Sequence, residues 1–424
     1  MKNIVVAAHT LGCKVNQCDT DAVLGRLSAI GCTIGRFEQA ADVYIINTCT
    51  VTHASDKKSR QMIRRARKQN PAAYVAVCGC MAQNVKDSAA MAQTLGIDCI
   101  FDARSPESFI QKVSEMDEGA GDCALLSHRN RTRAFVKIQD GCDRFCAYCI
   151  VPYVRGKPKS RPVADILAEI NMLIADGVQE IVLTGIQVAS YGEDIGDTNL
   201  SVLMGRILTL EGLQRLRLSS IEPCAVTGEF LAVAASSPAL CDHFHLSLQS
   251  GSDTVLQRMN RRYTTAQYVR IAAQLRQIAP DVALTTDIIV GFPGETDQEF
   301  EESLAFVQKI GFARVHVFEY SKREGTVAAS MPGHVPDSVK SERSERMRRM
   351  AETLQLDFYR DFYTAQVGKI IPVLFETKKA GKWTGHTSNY CPVQVISDIN
   401  LSNTIGQVAV TAYGPHGLEG EIIP

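Results

Sequence analysis

Short apolar runs alternate with longer amphipathic stretches along the first 115 residues of the chain. Three of the runs have the length and composition of buried strands, and strands are predicted at Ile4–Ala8, Val43–Asn47 and Tyr74–Cys78. The stretches that follow repeat apolar residues at helical spacing, and helices are predicted at Thr20–Ile30, Ser55–Gln69 and Val85–Leu95. Because strands and helices alternate, this segment is predicted to be a parallel α/β domain.

The same rhythm returns from residue 133, after a polar stretch at 116–132 that is interpreted as a linker. Six further strands are predicted at Ala134–Ile138, Glu180–Leu183, Arg215–Ser219, His243–Leu248, Leu284–Val290 and Arg314–Tyr320. Six βα units are fewer than the eight that close a full barrel, so a partial (βα)6 barrel is predicted. Thr296 and Glu299 form a capping box that begins a helix after the fifth of these strands.

The rest of the chain is predicted to form one long helix followed by a segment of β-strands. Residues 338–362 carry an apolar stripe at helical spacing, formed by Met347, Met350, Leu354, Phe358 and Phe362. Beyond residue 366 apolar and polar residues alternate between glycines, which predicts a small all-β barrel. The fold class is therefore α/β, and the predicted domains are residues 1–115, 133–362 and 363–424.

Composition and charge narrow the class of protein. The chain has 424 residues, of which 45% are hydrophobic and 21% charged, so it can bury two or three cores. Its net charge is −1, so any strongly basic surface must be local. No stretch reads as a signal peptide or a membrane span. Fourteen cysteines in such a chain are typical of metal ligands and free thiols in a reducing cytoplasm.

Three cysteines, Cys142, Cys146 and Cys149, lie together directly after the first predicted strand of the partial barrel. Thiolates suit both iron–sulfur clusters and zinc. A structural zinc site needs a fourth ligand nearby, and no histidine lies between Arg129 and Arg161. The spacing therefore favours a [4Fe–4S] cluster with one iron free of protein ligands, over a zinc knuckle or buried free cysteines.

Three more cysteines follow the three strands of the N-terminal segment in turn, Cys13 after the first, Cys49 after the second and Cys80 after the third. The carboxyl ends of parallel strands form one ligand crevice, so these thiols are predicted to converge on a second cluster. Cys78 competes with Cys80, and three unrelated buried cysteines are the alternative. The remaining cysteines are interpreted as structural: Cys18, Cys32, Cys99, Cys123, Cys224, Cys241 and Cys391.

Basic residues are concentrated in two stretches. Residues 57–68 carry seven basic and no acidic residues, and residues 129–161 carry nine basic against two acidic ones. The first stretch lies on a predicted helix after Cys49, where it suits contacts to nucleic-acid phosphates, with an ordinary solvated surface as the alternative. Trp383, His386 and Tyr390 are candidates either for stacking on unpaired bases or for packing within the C-terminal barrel.

The loop Cys142–Cys149 resembles the signature of the radical S-adenosylmethionine (SAM) superfamily, including the aromatic Tyr148 before its last cysteine. Three runs of the N-terminal half resemble motifs of the radical SAM methylthiotransferases, namely Thr10–Gln17, Asn47–Val51 and Gly79–Gln83. In that family the matching cysteines hold an auxiliary [4Fe–4S] cluster, and this resemblance selects Cys80 over Cys78. The C-terminal module is similar to a TRAM domain, an RNA-binding β-barrel. Cys18 departs from the family pattern, which commonly has an aromatic residue there.

The resemblance implies two [4Fe–4S] clusters and SAM as cofactors. One SAM molecule would be cleaved at the open iron to methionine and a 5′-deoxyadenosyl radical, and another would methylate a sulfur at the auxiliary cluster. Candidate contacts to SAM or substrate, chosen by their position in the cysteine loop or at strand ends, are Tyr148, Thr184, Gly185, Gln187, Glu222, Gln249 and Asp287. The alternative for each strand-end position is an ordinary polar residue.

Within the family, Gly12–Gln17 and residues 331–343 resemble the enzymes that act on N6-threonylcarbamoyladenosine, just 3′ of a tRNA anticodon. The implied reaction adds sulfur and a methyl group at C2 of this adenine. The implied partners are a tRNA anticodon stem-loop, a reductant such as flavodoxin or ferredoxin, and a sulfur donor, with no membrane. Alternatives are methylthiolation of isopentenyladenosine in tRNA or of a ribosomal protein, or a non-catalytic iron–sulfur module for electron transfer or RNA sensing.

Overall fold

A computed structural model of the protein describes residues 4–84, 88–116 and 132–423. The predicted linker 116–132 lies almost wholly outside the described residues. The chain divides into two compact units. Among the described residues, the first unit comprises 4–116, 140–157 and 321–329, and the second comprises 132–139, 158–320 and 330–423. No helix in these described ranges combines the length and the apolar character needed to cross a membrane.

The first unit contains a sheet of five parallel strands, β1 (Val5–Thr10), β2 (Thr33–Gly35), β3 (Val43–Thr48), β4 (Tyr74–Gly79) and β5 (Cys99–Ile100). Their order in the sheet is β2-β1-β3-β4-β5. The predicted parallel α/β fold and its three long strands are confirmed. The edge strands β2 and β5 were not predicted, because two or three residues are too few to show a periodic pattern.

The helices of this unit are α1 (Lys14–Ala29), α2 (His53–Gln69), α3 (Cys80–Asn84), α4 (Ser88–Leu95), α5 (Glu107–Ser114) and α6 (Val151–Arg155). Helix α1 begins six residues before the predicted start at Thr20, because its first turns bury the polar side chains of Asn16 and Asp19 beside Val15, which breaks the apolar pattern there. Helix α2 is capped by the Thr52 side chain, which accepts a hydrogen bond from the Ser55 N–H. Residues 85–87 of the predicted helix Val85–Leu95 lie outside the described part.

Among the described residues, seven strands lie between the first sheet and the C-terminal module: β6 (Arg133–Asp140), β7 (Lys159–Ser160), β8 (Glu180–Gly185), β9 (Arg215–Leu218), β10 (His243–His245), β11 (Ala283–Val290) and β12 (Arg314–Glu319). They form the sheets β7-β6-β8-β9 and β10-β11-β12. Parallel bridges from Leu216 to Leu240 and from Ile221 to Leu246 connect the β9 region to the β10 region. Apart from the short β7, the strands therefore form the predicted open barrel of six.

The helices of the second unit are α7 (Val163–Ala175), α8 (Leu200–Leu208), α9 (Gly228–Ala235), α10 (Asp253–Arg258), α11 (Thr265–Ile278), α12 (Asp297–Ile310) and α13 (Asp337–Gln366). Short 3-10 helices lie at Val188–Ser190, Pro223–Ala225 and Val327–Ser330. The predicted capping box at Thr296 and Glu299 is confirmed at the start of α12. The apolar stripe of α13 packs on two cores, since Met347 belongs to the central core and Phe358 packs against the C-terminal one.

The partial barrel has an apolar outer face and a polar inner face. Side chains alternate along each strand, and the core cluster shared with the helices takes Leu284 and Ile288 from β11. Thr285 and Asp287 therefore point to the inner face. This alternation leaves polar side chains inside the barrel, as expected of a surface that binds a ligand rather than a packed core.

The C-terminal module is a closed barrel of five strands, β13 (Ile370–Lys379), β14 (Lys382–His386), β15 (Pro392–Ile396), β16 (Thr404–Gly414) and β17 (Gly417–Ile423). They close in the order β13-β14-β15-β17-β16. Val373 and Phe375 from the predicted alternating run are fully buried in its core. The predicted all-β barrel is confirmed.

A buried carboxylate attaches this C-terminal barrel to the central one. Glu180, the first residue of β8, lies 2.7 Å from Arg217 Nε and 2.8 Å from Arg133 Nε. The Arg217 guanidinium lies 3.6 Å from the centre of the Tyr390 ring and donates a hydrogen bond to the Ser388 carbonyl at 2.8 Å. The arginines thus connect the start of the central strands to the turn between β14 and β15.

We expect Glu180→Gln to destabilise this attachment by about 3–5 kcal/mol, because removing one partner of a buried ion pair leaves its arginines uncompensated. Burial alone would raise the pKa of Glu180, but the hydrogen bonds and charges of the arginines lower it to about 2. The stabilisation is therefore present above pH 4.5 and is lost as the pH falls toward 2. The single tryptophan, Trp383, is buried in the C-terminal barrel, so its fluorescence during urea unfolding measures the change.

The control for this experiment is Glu345→Gln, which removes an exposed ion pair with Arg349 on the surface of α13. Such a pair contributes about 0.5 kcal/mol or less. Equal unfolding midpoints for the two variants at pH 7 would show that the Glu180 pairs contribute no more than a surface contact.

Candidate active site

Cys13, Cys49 and Cys80, called the strand-end cysteines below, lie just beyond the carboxyl ends of β1, β3 and β4. These three strands are neighbours in the sheet, and its order reverses between β1 and β3, where open α/β sheets bind ligands. A Cβ added at Gly12 would lie 3.1 Å from the Cys49 sulfur, so the loops carrying Cys13 and Cys49 are in contact. The fold thus brings the strand-end cysteines to one edge of the sheet.

Gly79 is the position that allows Cys80 to turn out of β4. Its φ is +87°, and a Cβ there would lie 2.2 Å from Asn47 Oδ1 and 2.4 Å from the Thr48 carbonyl oxygen. Only glycine fits so close an approach. The strand ends at this glycine, and Cys80 begins the short helix α3.

The structure separates Cys78 from Cys80. Cys78 is 1% exposed within β4 and packs in the apolar core of the first unit. Cys80 packs instead against Ile150 and Val154, which directly follow the Cys142–Cys149 loop. Burial raises the pKa of the Cys78 thiol far above its ordinary value, as expected of an inert core cysteine.

A buried arginine, Arg155, lies beside the strand-end cysteines. Its guanidinium is 2.9 Å from the Asp140 carboxylate and 3.2 Å from that of Asp19, and it donates a hydrogen bond to the Asn16 side chain. Burial raises the pKa of the Cys80 thiol, and the charge and hydrogen bond of Arg155 act to lower it. Burial also disfavours the Arg155 cation, but Asp140, Cys80 and Asp19 hold its pKa above the ordinary value.

Sequence reasoning counted Arg155 only as one charge of a basic stretch. The signal that could have identified it is the pair of polar residues in the first turns of α1, Asn16 and Asp19. Polar side chains that replace apolar ones on the buried face of a helix need a buried partner. Arg155 is that partner.

The Cys142–Cys149 segment, called the cysteine loop below, is held by its own backbone. The Cys142 N–H donates to the Gly156 carbonyl at 2.9 Å, and the Cys149 N–H donates to the Cys146 carbonyl at 2.9 Å. At Gly141 the φ is +75°, and a Cβ would lie 2.0 Å from a backbone carbonyl oxygen of the returning chain. The loop and the strand-end cysteines belong to the same compact unit.

The spacing of the thiols provides a test between a single ion and a cluster. Ligand atoms around one zinc ion bound at about 2.3 Å lie within about 4.6 Å of one another. In the described ranges, the one group of three His, Cys, Asp or Glu ligand atoms within 4.8 Å of one another contains no cysteine. Among the described residues, neither cysteine group therefore has its three thiols at the spacing expected around a single zinc ion.

Three of the predicted SAM contacts lie at the carboxyl end of β8. Thr184 is buried, and Gly185 allows close approach, since a Cβ there would lie 3.1 Å from Gln139 Oε1. The same Gln139 oxygen accepts a hydrogen bond from the Gln187 N–H at 2.9 Å. The end of β8 is thus held against β6 with little room for larger side chains.

The other predicted contacts have partners of their own. Glu222 forms an ion pair with Arg261 at 2.7 Å. Gln249 has a left-handed backbone, with φ +71°, and its N–H donates to the Asp287 carbonyl at 2.8 Å. Tyr148 is half-buried in the cysteine loop of the first unit. A non-glycine residue in the left-handed region is a strained position of the kind found at ligand sites.

Helix α2 presents a basic face to solvent. Of its seven basic residues, Arg67 is bound to Asp98 at 2.6 Å, and the other six are exposed: Lys57, Lys58, Arg60, Arg64, Arg65 and Lys68. Ser59 fixes the helix to the strand end, because its hydroxyl donates to the Cys49 carbonyl at 3.2 Å.

In the second basic stretch, residues 129–161, fewer basic side chains are available to bind phosphate than the composition indicated. Residues 129–131 lie outside the described part. Three of its arginines are committed to ion pairs, Arg133 with Glu180, Arg155 with Asp140 and Arg161 with Glu169.

Stacking of Trp383 on RNA bases, one of the two predicted alternatives, is wrong. Trp383 is 7% exposed in the core of the C-terminal barrel, and Tyr390 is covered by Arg217. His386 lies 3.1 Å from the Glu376 carboxylate. Trp383 is therefore part of the barrel core, whereas His386 and Tyr390 are half-buried and their stacking on bases stays a prediction.

Comparison with known proteins agrees with this geometry. The model of the Radical SAM superfamily matches residues 136–307, and that of the uncharacterized protein family UPF0004 matches residues 5–102. The radical S-adenosylmethionine methyltransferase TsrM from Kitasatospora setae has a similar structure, with a TM-score of 0.57 and 15% identity over 78% of this chain and 77% of its own. At that identity the likeness supports the fold alone.

Curated relatives match almost the whole chain. Threonylcarbamoyladenosine tRNA methylthiotransferase MtaB of Bacillus subtilis is 38% identical over 99% of this chain and 96% of its own. The tRNA-2-methylthio-N(6)-dimethylallyladenosine synthase of Caldicellulosiruptor saccharolyticus is 35% identical over 100% and 93%. The protein is an enzyme whose cofactors are SAM and [4Fe–4S] iron–sulfur clusters. It belongs to the MtaB-type radical SAM tRNA methylthiotransferases.

Proposed function

We propose that this enzyme adds a methylthio group to C2 of N6-threonylcarbamoyladenosine in tRNA, using two SAM molecules and two [4Fe–4S] clusters. The observation that carries the proposal is the convergence of the strand-end cysteines in the unit that also holds the cysteine loop. A radical SAM loop alone does not specify a product, because many reactions begin from it. A second three-thiol site gives the enzyme a place to hold the sulfur that is transferred.

The two groups of cysteines have different roles in this proposal. The cysteine loop holds the cluster that binds SAM, and the strand-end cysteines hold the auxiliary cluster. When bound, the loop cluster and SAM supply the one-electron chemistry of the superfamily. Arg155 keeps a positive charge beside Cys80 and Cys13, which favours the thiolate forms that bind iron.

The SAM and substrate contacts remain proposals chosen by position: Tyr148, Thr184, Gly185, Gln187, Glu222, Gln249 and Asp287. Support comes from the close approach at Gly185 and the left-handed backbone at Gln249. Both features are typical of backbone shaped to meet a ligand.

The exposed basic face of α2 is the proposed contact to the anticodon stem-loop. It begins four residues after Cys49, so phosphates bound there would bring the modified base toward the strand-end cysteines. The TRAM-like barrel contributes through surface groups other than its buried aromatic residues. A tRNA substrate places the enzyme in the cytoplasm, with a flavodoxin or ferredoxin as reductant and a separate sulfur donor.

Dimethylallyladenosine is the second candidate substrate, because relatives named for it are nearly as similar over the full chain. The run Gly12–Gln17 favours threonylcarbamoyladenosine, since it resembles the subgroup that acts on that nucleoside. The two candidates differ only in the group on N6, and both are modified at C2.

We expect tRNA from a deletion strain to lose the 2-methylthio derivative of N6-threonylcarbamoyladenosine and to accumulate the unmodified nucleoside. Nucleoside mass spectrometry measures both, and a plasmid with the wild-type gene restores the product while Cys142→Ala does not. If the strain instead loses the methylthio derivative of dimethylallyladenosine (isopentenyladenosine), the second candidate is the substrate. Unchanged profiles of both nucleosides would reject tRNA methylthiolation by this enzyme in that cell.

A further inference from the structure

Three potential metal ligands, none of them a cysteine, lie together inside the partial barrel. His245 ends β10, Asp287 lies in the middle of β11 and His316 lies in β12. Asp287 and His316 are directly opposite in the parallel register, and His245 is opposite Thr285. The neighbouring residues along each strand pack in the outer core, so these three side chains share the inner face.

The ligand atoms of the three side chains lie within 4.8 Å of one another, and all three residues are half-buried. His245 Nε2 is 3.2 Å from Asp287 Oδ2. That nitrogen is shielded from solvent and makes no hydrogen bond of acceptable geometry, either to Asp287 or to any other described group. A buried ring nitrogen that faces a carboxylate without such a bond is in the position of a metal ligand whose ion is yet to bind.

The other nitrogen of the same ring is already oriented. His245 Nδ1 lies 3.1 Å from the Thr285 hydroxyl, so an N–H at Nδ1 leaves the Nε2 lone pair directed at Asp287 and His316. Metal-bound histidines have this kind of partner on their second nitrogen.

We propose that His245, Asp287 and His316 bind one divalent transition-metal ion inside the barrel. Two imidazoles and one carboxylate are the donor set that such ions prefer, and three separate strands hold it in place. Three protein ligands leave further coordination positions directed into the barrel, where water or an oxygen donor of a bound ligand can enter. This site goes beyond the proposed methylthiolation and does not depend on it.

Zinc is the probe for the test, and the cluster-loaded full-length enzyme is the sample. After anaerobic removal of loose metal and dialysis against zinc, iron and zinc are measured together by mass spectrometry. We expect the wild type to hold one more zinc per chain than Asp287→Asn or His316→Gln, at equal iron content. His416→Gln is the matched control, since it removes an exposed histidine of the C-terminal barrel and should keep the wild-type zinc.

Two further measurements decide the case if a variant folds poorly. In the wild type, X-ray absorption at the zinc edge should show nitrogen and oxygen neighbours at about 2.0–2.1 Å, whereas binding to stray thiols gives sulfur at about 2.3 Å. Thr285→Val should weaken zinc binding by about 10–100-fold without changing the stoichiometry at saturation. A sulfur shell in the wild type, or equal zinc in the wild type and both ligand variants at equal iron, would overturn the proposal.

Discussion

Cys142→Ala is expected to reduce reductive cleavage of SAM to the background of protein without clusters. In the proposed function, three thiolates of the cysteine loop hold a cube with one open iron, and two thiolates would leave the cube without a secure attachment. The measurement is 5′-deoxyadenosine formed from SAM under anaerobic reduction. Iron should fall from about eight to about four per chain, because only the auxiliary cube remains.

Cys18→Ala is the matched control for this loss. Cys18 is a half-exposed thiol of α1, five residues after Cys13, and it belongs to neither cysteine group. It should keep both the iron content and 5′-deoxyadenosine formation. Substantial 5′-deoxyadenosine from the Cys142→Ala variant would contradict the role assigned to the cysteine loop.

Cys80→Ala is expected to separate SAM cleavage from product formation. Loss of one strand-end cysteine removes the auxiliary cluster, so iron should fall to about four per chain while 5′-deoxyadenosine is still formed. Methylthiolated tRNA nucleoside should fall below detection, because no site remains to hold the transferred sulfur. Iron analysis, 5′-deoxyadenosine assay and nucleoside mass spectrometry of the same preparation test all three expectations.

Cys78→Ala is a stringent control, since the two cysteines are two residues apart and only one of them is expected to bind iron. Cys78 packs in the apolar core, so its loss should cost some stability but leave about eight irons and the product. The reverse result, with iron lost from the Cys78 variant and kept in the Cys80 variant, would exchange the ligand assignment.

Much of the fold was predictable because its signals are local. The central strands of the first sheet are mostly apolar runs, and the strands of the partial barrel are apolar or alternate apolar with polar residues. The capping box at Thr296 needs only residues within one helical turn. Such patterns are visible in the sequence because the residues of each element reflect the burial of that element alone. The start of α1 was missed for the opposite reason, since two of its buried side chains there, Asn16 and Asp19, are polar.

The C-terminal aromatic residues show where composition misleads. Trp383 and Tyr390 have the chemistry to stack on bases, but whether a ring faces solvent depends on the packing of distant strands. Arg217, which covers Tyr390, comes from β9, far away along the chain. Long-range contacts of this kind leave no periodic signal around either partner.

The sequence by itself determined the order of strands and helices, the spacing of the cysteine loop and the placement of three more cysteines after successive strands. Each of these is a local property, because strand length, turn residues and short motifs act over a few positions. Only the tertiary structure decided that Cys80 turns away from the core that buries Cys78, and that Arg155 is buried next to it. The same holds for His245, Asp287 and His316, which become neighbours only because parallel strands align residues that are far apart along the chain.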